Sequence, residues 1–452
     1  MEKQKARFAA LAASEAGAGV EKIETGDFCG SLAAAALNGN IKEAAMQYFG
    51  RLRKAQLENG KAIPASLACN ADEASDEAEV SAEGSIADGA EAVKAVWSLY
   101  ETYGDKAILE ENYDLIRDAL DAAAEQDPDK AFILQAPKMA DDDTDPSFVA
   151  TVSYYEMALA AEKAAKVLGK EEDEKQFAEL AGNIKEAFLD EFFTRSGRLA
   201  EDTQTAYILA LNSGLYDQKE KLKEDFLKQL KKDQYQLKCG KAGRTQLPFA
   251  LAECGQSDLA YRYLMNDWMS DPADDLSAAE NEKTAEFLTR YVNGITPLEP
   301  GFTKVKIAPM PNFRLIDAAG TCATPNGNIV SNWDVNEEGQ IHFHFEIPEG
   351  CEALVLLPDC ADEALKEQTL TAGTYDFDYM PQKDYLHLFN ENSVIGDILK
   401  YDESVAVLEE ADASLAEQIQ NAGADLLTKP LDELPVDAQT VSAIKKKLFE
   451  LK

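Results

Sequence analysis

The sequence predicts an α+β multidomain protein. An (α/α)6 six-hairpin barrel over residues 1–295 precedes an antiparallel β-sandwich over 296–385 and a small C-terminal α-helical appendage over 386–452. Three observations lead there. A chain of 452 residues is too long for one ordinary core. Apolar residues recur at three- and four-residue spacing as far as residue 295, then switch to a period of two. Helical spacing returns after Asn390.

The helices come in pairs. Ile41 to Glu58, Asp88 to Tyr103, Lys106 to Gln126, Pro146 to Leu168, Glu171 to Phe193 and Asp258 to Trp268 each carry an apolar stripe. The breaks NGN (38–40), YGD (103–105), LGK (168–170) and CGQ (254–256) offer a glycine to end one helix and a polar residue to start the next. Glu2 to Ser14, Asp27 to Leu37, Thr203 to Leu215, Lys219 to Lys232, Gln246 to Glu253 and Ser277 to Asn293 bring the number to about a dozen, or six hairpins. Helix number alone leaves a bundle or solenoid open beside the closed ring. At Asp202-Thr203-Gln204-Thr205 a polar run meets an apolar one, and Asp202 and Gln204 are expected to cap the helix and tie it to its neighbours.

Two acidic segments, 70–91 and 140–146, read as solvated loops. Neither has the alternating oxygen ligands and tight glycine turn of a calcium loop, so no metal and no cofactor is expected. The net charge of −39 disfavours nucleic acid and anionic membranes, and no apolar run approaches the ~20 residues of a membrane span. Seven scattered cysteines without a C-x-x-C pair read as free thiols. The N-terminus lacks the long apolar stretch of a secretory signal, so the cytoplasm is the expected compartment.

Past residue 295, KVKIAP (304–309), GNIVSNWDV (327–335), QIHFHFEIP (340–348), EALVLLP (352–358) and GTYDFDY (373–379) alternate or are rich in β-branched and aromatic residues, as sandwich strands do. His342 and His344 fall opposite Ile341, Phe343 and Phe345 and should face solvent. In the appendage, TKPLDELP divides the helices into two parts.

No phosphate loop, G-x-G-x-x-G, zinc spacing or G-x-S-x-G elbow occurs. The three histidines, at 342, 344 and 387, all fall outside the helical region, which excludes a Ser-His-Asp or Cys-His site there. Carboxylates remain, and glycoside hydrolysis needs two of them: one acid for the leaving oxygen and one base for water.

The segments FGRLRKAQLENGKAIPAS, RLAEDTQTAYILALNSGLY, ALAECGQSDLAYRYLM, EFLTRYVNGITPLEPGFTKVKIAPMP and ATPNGNIVSNW resemble landmarks of the α-L-rhamnosidase family of inverting six-hairpin glycosidases. The tail GTYDFDYMPQKDY…FNENSVIGDIL is similar to an appendage of some bacterial members. The resemblance implies the barrel, the β-sandwich and a pocket for terminal α-L-rhamnose at the barrel mouth. It also implies that the family's N-terminal β-rich domains are missing.

The family signature Asp-Cys-Pro-Gln-Arg-Asp-Glu-Arg-Leu-Gly-Trp-Thr-Gly-Asp holds the general acid at Glu and sugar-binding groups at its outer aspartates. Here only Thr25-Gly26-Asp27 survives, and the acid position holds Val20. Resemblance assigns sugar binding to Asp27, for which the competing role is a helix cap, and to Asp88. The family's base loop has shortened here, and Ala278 stands about where its His would be. Substitute catalytic groups are Glu21 (or Glu24) for the acid and, for the base, Asp274 among the nearby Asp271, Asp275, Glu280 and Glu282. Two readings stay open: a hydrolase of terminal α-L-rhamnosides working through those substitutes, or a non-catalytic carbohydrate-binding relative, which in the limit keeps only the fold.

Overall fold

The structure, a computed structural model, describes residues 22–68, 84–138, 142–233, 235–265, 278–390 and 393–451. Six helices form an inner ring: α1 (Thr25–Asn38), α3 (Ile86–Tyr103), α5 (Pro146–Val167), α7 (Gln204–Ser213), α10 (Leu247–Glu253) and α12 (Ala278–Phe287). Helices α2 (Lys42–Glu58), α4 (Lys106–Glu125), α6 (Glu171–Phe192), α8 (Lys219–Lys232) and α11 (Ser257–Tyr263) follow their inner partners in sequence. The short α9 (Lys241–Arg244) precedes α10.

The order around the ring is α1, α3, α5, α7, α10, α12, and α12 packs back against α1. The step from α10 to α12 is made by rings: Phe249 meets Phe287 edge-on with centroids 5.5 Å apart, and Tyr291 at 5.6 Å. The ring is therefore closed, not an open stack.

Composition sorts the two layers. In α7 every residue from Gln204 to Leu211 is buried, whereas α6 buries one stripe, Phe177, Ala181, Ile184, Phe188 and Phe192. A helix that is apolar all round belongs inside, and one with a single stripe belongs outside. Phe148 of α5 locks the two layers together, its ring 4.8 Å from Phe188 and 4.9 Å from Phe192. Truncating such a ring to alanine costs about 3–5 kcal/mol.

Helix starts follow local chemistry. Thr203, not Asp202, caps α7: its hydroxyl accepts from the Ala206 amide at 3.2 Å. Asp202 turns outward to Lys232 at 2.8 Å. Gln204 is fully buried and ties the helix to the chain beyond α8, donating to Asp233 and to the Gln236 carbonyl while accepting from the Lys238 amide. Of the acidic segment 140–146, Asp142 is not a solvated loop residue. It is buried and accepts from Thr144, Thr205 and the Gly240 amide. It needs those donors because an unpaired buried carboxylate is costly. Glu2 to Ser14 and residues 70–83 lie outside the described residues.

After α12 the chain makes one π-turn, Leu288–Val292, and enters the β-sandwich. Its strands are β3 (Ile295–Pro297), β4 (Lys304–Ile307), β5 (Asp317–Thr324), β6 (Gly327–Val335), β7 (Ile341–Ile347), β8 (Glu352–Leu356), β9 (Glu367–Leu370) and β10 (Gly373–Tyr379). A separate antiparallel pair joins β1 (Lys22–Glu24), just before α1, to β2 (Ser66–Ala68), which follows α2. The sheets run β10-β7-β6-β5 and β3-β4-β8-β9, antiparallel throughout except for β4 with β8. On β7 the alternation sends Ile341, Phe343 and Phe345 into the core and leaves His342 and His344 partly exposed, each beside an aspartate of β10.

Barrel and sandwich share one continuous apolar core. Trp333 donates to the Val292 carbonyl at 2.9 Å, and Asn293 and Ser331 exchange bonds at 2.8 and 2.6 Å. Helices α13 (Asp402–Ala411), α14 (Ala413–Gln420), α15 (Ala424–Leu427) and α16 (Ala438–Phe449) form the appendage around a core of their own.

Candidate functional site

A cavity of about 820 Å³ opens within the ring, lined by all six inner helices. It is bounded by Ala87 and Lys94 on α3 and by Val149 and Glu156 on α5. Seven residues of helix rise about 10 Å, so the cavity runs two turns deep.

At the α1 and α3 starts lie Glu24, Asp27 and Asp88. Asp27 does not cap: α1 begins at Thr25, and Asp27, in its first turn, pairs with Lys241 of α9 at 2.7 Å. Asp88 completes a capping box at the start of α3, its carboxylate accepting from both the amide and the hydroxyl of Ser85 at 2.8 Å. The packing that brings these groups together depends on glycine. A Cβ on Gly26 would stand 2.5 Å from Asp88 Oδ1, and one on Gly30 would stand 3.3 Å from Glu91 Oε2. Gly26 and Gly30 share a face of α1, as Asp88 and Glu91 share a face of α3, so two acidic side chains lie where a bulkier helix would exclude them.

Deeper down the lining turns ionic. Lys94 bridges Glu91 at 2.6 Å and Glu156 at 2.8 Å, linking α3 to α5. On α12, Glu286 pairs with Lys283 at 2.8 Å, and with Arg290 of the following π-turn at 3.0 Å. These six side chains are 12–29% exposed, and that exposure is to the cavity. At Glu91, Lys94 and Glu286 burial opposes the charge, and the opposite partners outweigh it. The Glu286 carboxyl, against burial, is drawn down to about 2 by Lys283 and Arg290. Glu91 is also lowered, and Lys94 is raised by Glu156 and Glu91. Phe249 and Tyr291 supply apolar surface on one wall.

Of the groups expected from the sequence, Asp27 and Asp88 are brought to one cavity, and Glu24 lies beside them. Glu21 and Asp274, with Val20, Asp271 and Asp275, lie outside the described residues; so do the side chains of Ala278, Glu280 and Glu282, whose backbone begins α12. The deep ionic set was not anticipated. Its signal is nonetheless present: Glu91 and Lys94 interrupt a run of Ala90, Ala92, Val93, Ala95 and Val96, all buried. A charge pair on a helix apolar all round faces an interior space, not solvent. Among the described residues, no cluster of histidine, cysteine and carboxylate side chains could hold a metal ion.

A closed helical ring around a cavity of carboxylates and aromatic rings, followed by a β-sandwich, defines a glycosidase-type six-hairpin protein. The bacterial α-L-rhamnosidase six-hairpin glycosidase domain matches residues 23–270, and the bacterial α-L-rhamnosidase C-terminal domain matches residues 294–372. The first match alone takes in more than half of the chain, and the chain belongs to the α-L-rhamnosidase family. It is 28% identical over 314 residues to an α-L-rhamnosidase of Formosa agariphila, covering 60% of this chain and 34% of that protein. To one of Alteromonas sp. it is 26% identical over 335 residues, covering 62% and 36%. The chain thus spans about a third of the length of these relatives. In fold it is similar to the Streptomyces avermitilis α-L-rhamnosidase complexed with L-rhamnose, with a TM-score of 0.67 and 20% identity over 79% of this chain and 38% of that one. The Aspergillus terreus enzyme gives 0.65 and 20%, over 78% and 45%.

Proposed function

We propose that the chain recognises terminal α-L-rhamnose in the barrel cavity and that its inverting hydrolysis is impaired. One observation carries this reading: the deep carboxylates of the cavity are each held by lysine or arginine. A general acid must hold a proton near neutral pH and release it in the transition state. Glu286, at about 2, and Glu91, lowered by Lys94, stay ionised. The position of the family acid holds Val20, which has no proton to give. Recognition is supported by the cavity itself, which combines carboxylates, ammonium groups and an aromatic wall, the surfaces a sugar ring and its hydroxyls require. The relative solved with L-rhamnose bound has the same fold, which supports the choice of sugar.

The test pairs titration calorimetry with L-rhamnose and release of nitrophenol from an aryl α-L-rhamnoside, in the parent and in Asp27→Asn. Saturable heat is expected, with turnover about 10²- to 10⁴-fold below that of a relative whose acid is in place. Turnover at the relative's rate overturns impairment and points to Glu21 and Asp274 as the pair, which inversion requires to stand about 6.5–9.5 Å apart. Absence of both heat and turnover overturns the reading as a whole.

A further inference from the structure

We infer that the sugar-reading centre of this cavity is the Glu91–Lys94–Glu156 triad, deeper than the Asp27 and Asp88 pair, and that it takes an uncharged polyol end. The inference rests on the recognition proposed above and names the residues that perform it.

The two outer aspartates are committed elsewhere. Both oxygens of Asp27 lie on Lys241 Nζ, at 2.7 and 2.8 Å. Asp88 spends Oδ2 on the amide and hydroxyl of Ser85, and its Oδ1 lies over Gly26. A ligand hydroxyl reaching Asp27 would share its carboxylate with the Lys241 ammonium, and one reaching Asp88 would share it with the Ser85 cap.

The triad has capacity left. An ammonium carries three donors, and Lys94 places two of them, on Glu91 and Glu156. A carboxylate has about four acceptor positions, and Glu156 accepts through Oε2 from Lys94 alone among the described residues. Both groups open onto the cavity, Lys94 at 29% and Glu156 at 18%. A sugar hydroxyl donates and accepts at once, so it fits between a carboxylate oxygen and an ammonium hydrogen without leaving either unpaired.

Charge selects the ligand class. Glu91, Glu156 and Glu286 are balanced by Lys94, Lys283 and Arg290, so the deep set is neutral as a whole. A uronate carboxylate entering it would lose its water and add a fourth negative charge beside Glu91, Glu156 and Glu286, which already share the three cations of the set. A neutral polyol meets no such penalty.

The experiment is calorimetry on the full chain with L-rhamnose and, separately, D-glucuronate. The proteins are the parent, Lys94→Met, Glu156→Gln, Asp27→Asn and the neutral triple Glu91→Gln/Lys94→Met/Glu156→Gln, with thermal unfolding to establish that each is folded. Lys94→Met strands two carboxylates and can cost folding, whereas the triple preserves volume and strands none. Rhamnose affinity is expected to fall at least about tenfold in Glu156→Gln and in the triple, further than in Asp27→Asn, with no glucuronate binding to the parent. Rhamnose affinity that survives the triple, a larger loss in Asp27→Asn, or glucuronate binding tighter than rhamnose overturns this inference while leaving rhamnose recognition intact. No rhamnose heat in the parent overturns both.

Discussion

The Cβ that Gly26 lacks is as much a part of the site as any carboxylate. Helix α1 approaches α3 closely enough that alanine at 26 would place its Cβ 2.5 Å from Asp88 Oδ1, a separation that real contacts do not tolerate. Asp88 would swing away, and the capping box with Ser85 would go with it. Gly26→Ala is expected to destabilise by about 1–2 kcal/mol, the worth of a helix cap, as measured by urea denaturation. Ser85→Ala removes the same box from its other end, so the double variant should lose little more than either single one. Gly50, in the middle of α2 with open space around its Cβ position, is the control: alanine there should stabilise by up to about 1 kcal/mol. Equal losses at 26 and 50 would mean that helix propensity, not the contact with Asp88, decides the outcome.

Helix α12 joins the ring through its aromatic end and the cavity through its charges, and the two roles separate in acid. The Glu286 carboxyl is depressed to about 2 in the fold against an ordinary 4.5, so the unfolded chain binds its proton first. Its stabilising contribution is complete above about pH 4.5 and is lost as pH falls toward 2, on the order of 3 kcal/mol in all. Denaturation followed from pH 7 to 2.5 should show this slope, and Glu286→Gln should flatten it while lowering stability at neutral pH, because Lys283 and Arg290 lose their partner. An unchanged acid slope in the variant would assign that loss to other carboxylates. The periodicity that revealed α12 did not reveal this chemistry. Long amphipathic helices such as Lys106–Glu125 and Glu171–Phe192, and strands such as Gly327–Val335, were legible to within a residue or two because burial imposes the pattern. Strands β3, β5 and β9 were not: ITP is too short, DAAGTCAT is small and weakly β-forming, and EQTL is a polar edge. In the site, Asp27 and Asp88 were reachable only through their place in a family pattern. Lys94 and Glu156 belong to inner helices, and on a sequence alone a charge is assigned to solvent.

How the three parts hold together decides how the chain comes apart. Trp333 and the Asn293–Ser331 exchange bind the sandwich to the last turn of the ring, and one apolar core runs through both. The residues they grip, Val292 and Asn293, follow directly on Arg290 and Tyr291, so the sandwich braces one wall of the cavity and should melt with the barrel in a single cooperative step. The appendage differs, because its apolar core is small and separate and its attachment combines polar contacts with the Phe313 ring edge-on to Tyr401 at 6.4 Å. Arg262 of α11, 7% exposed, donates to the Lys400 carbonyl at 2.6 Å and reaches Asp402 at 3.1 Å. Arg314, after the first sheet strands, lies 5.0 Å from the Tyr401 ring centroid. Two calorimetric transitions are therefore expected, the smaller and earlier one belonging to residues 393–451. Arg262→Ala leaves the Lys400 carbonyl without its donor, so it should lower the first transition by an amount equivalent to about 1–3 kcal/mol and leave the second in place. Rhamnose should do the reverse: a ligand held inside the ring raises the transition of the barrel and sandwich by mass action and does not touch the appendage. If rhamnose raises both transitions together, the appendage is coupled to the cavity through Arg262 and Arg314, and Arg262→Ala should then sever that coupling.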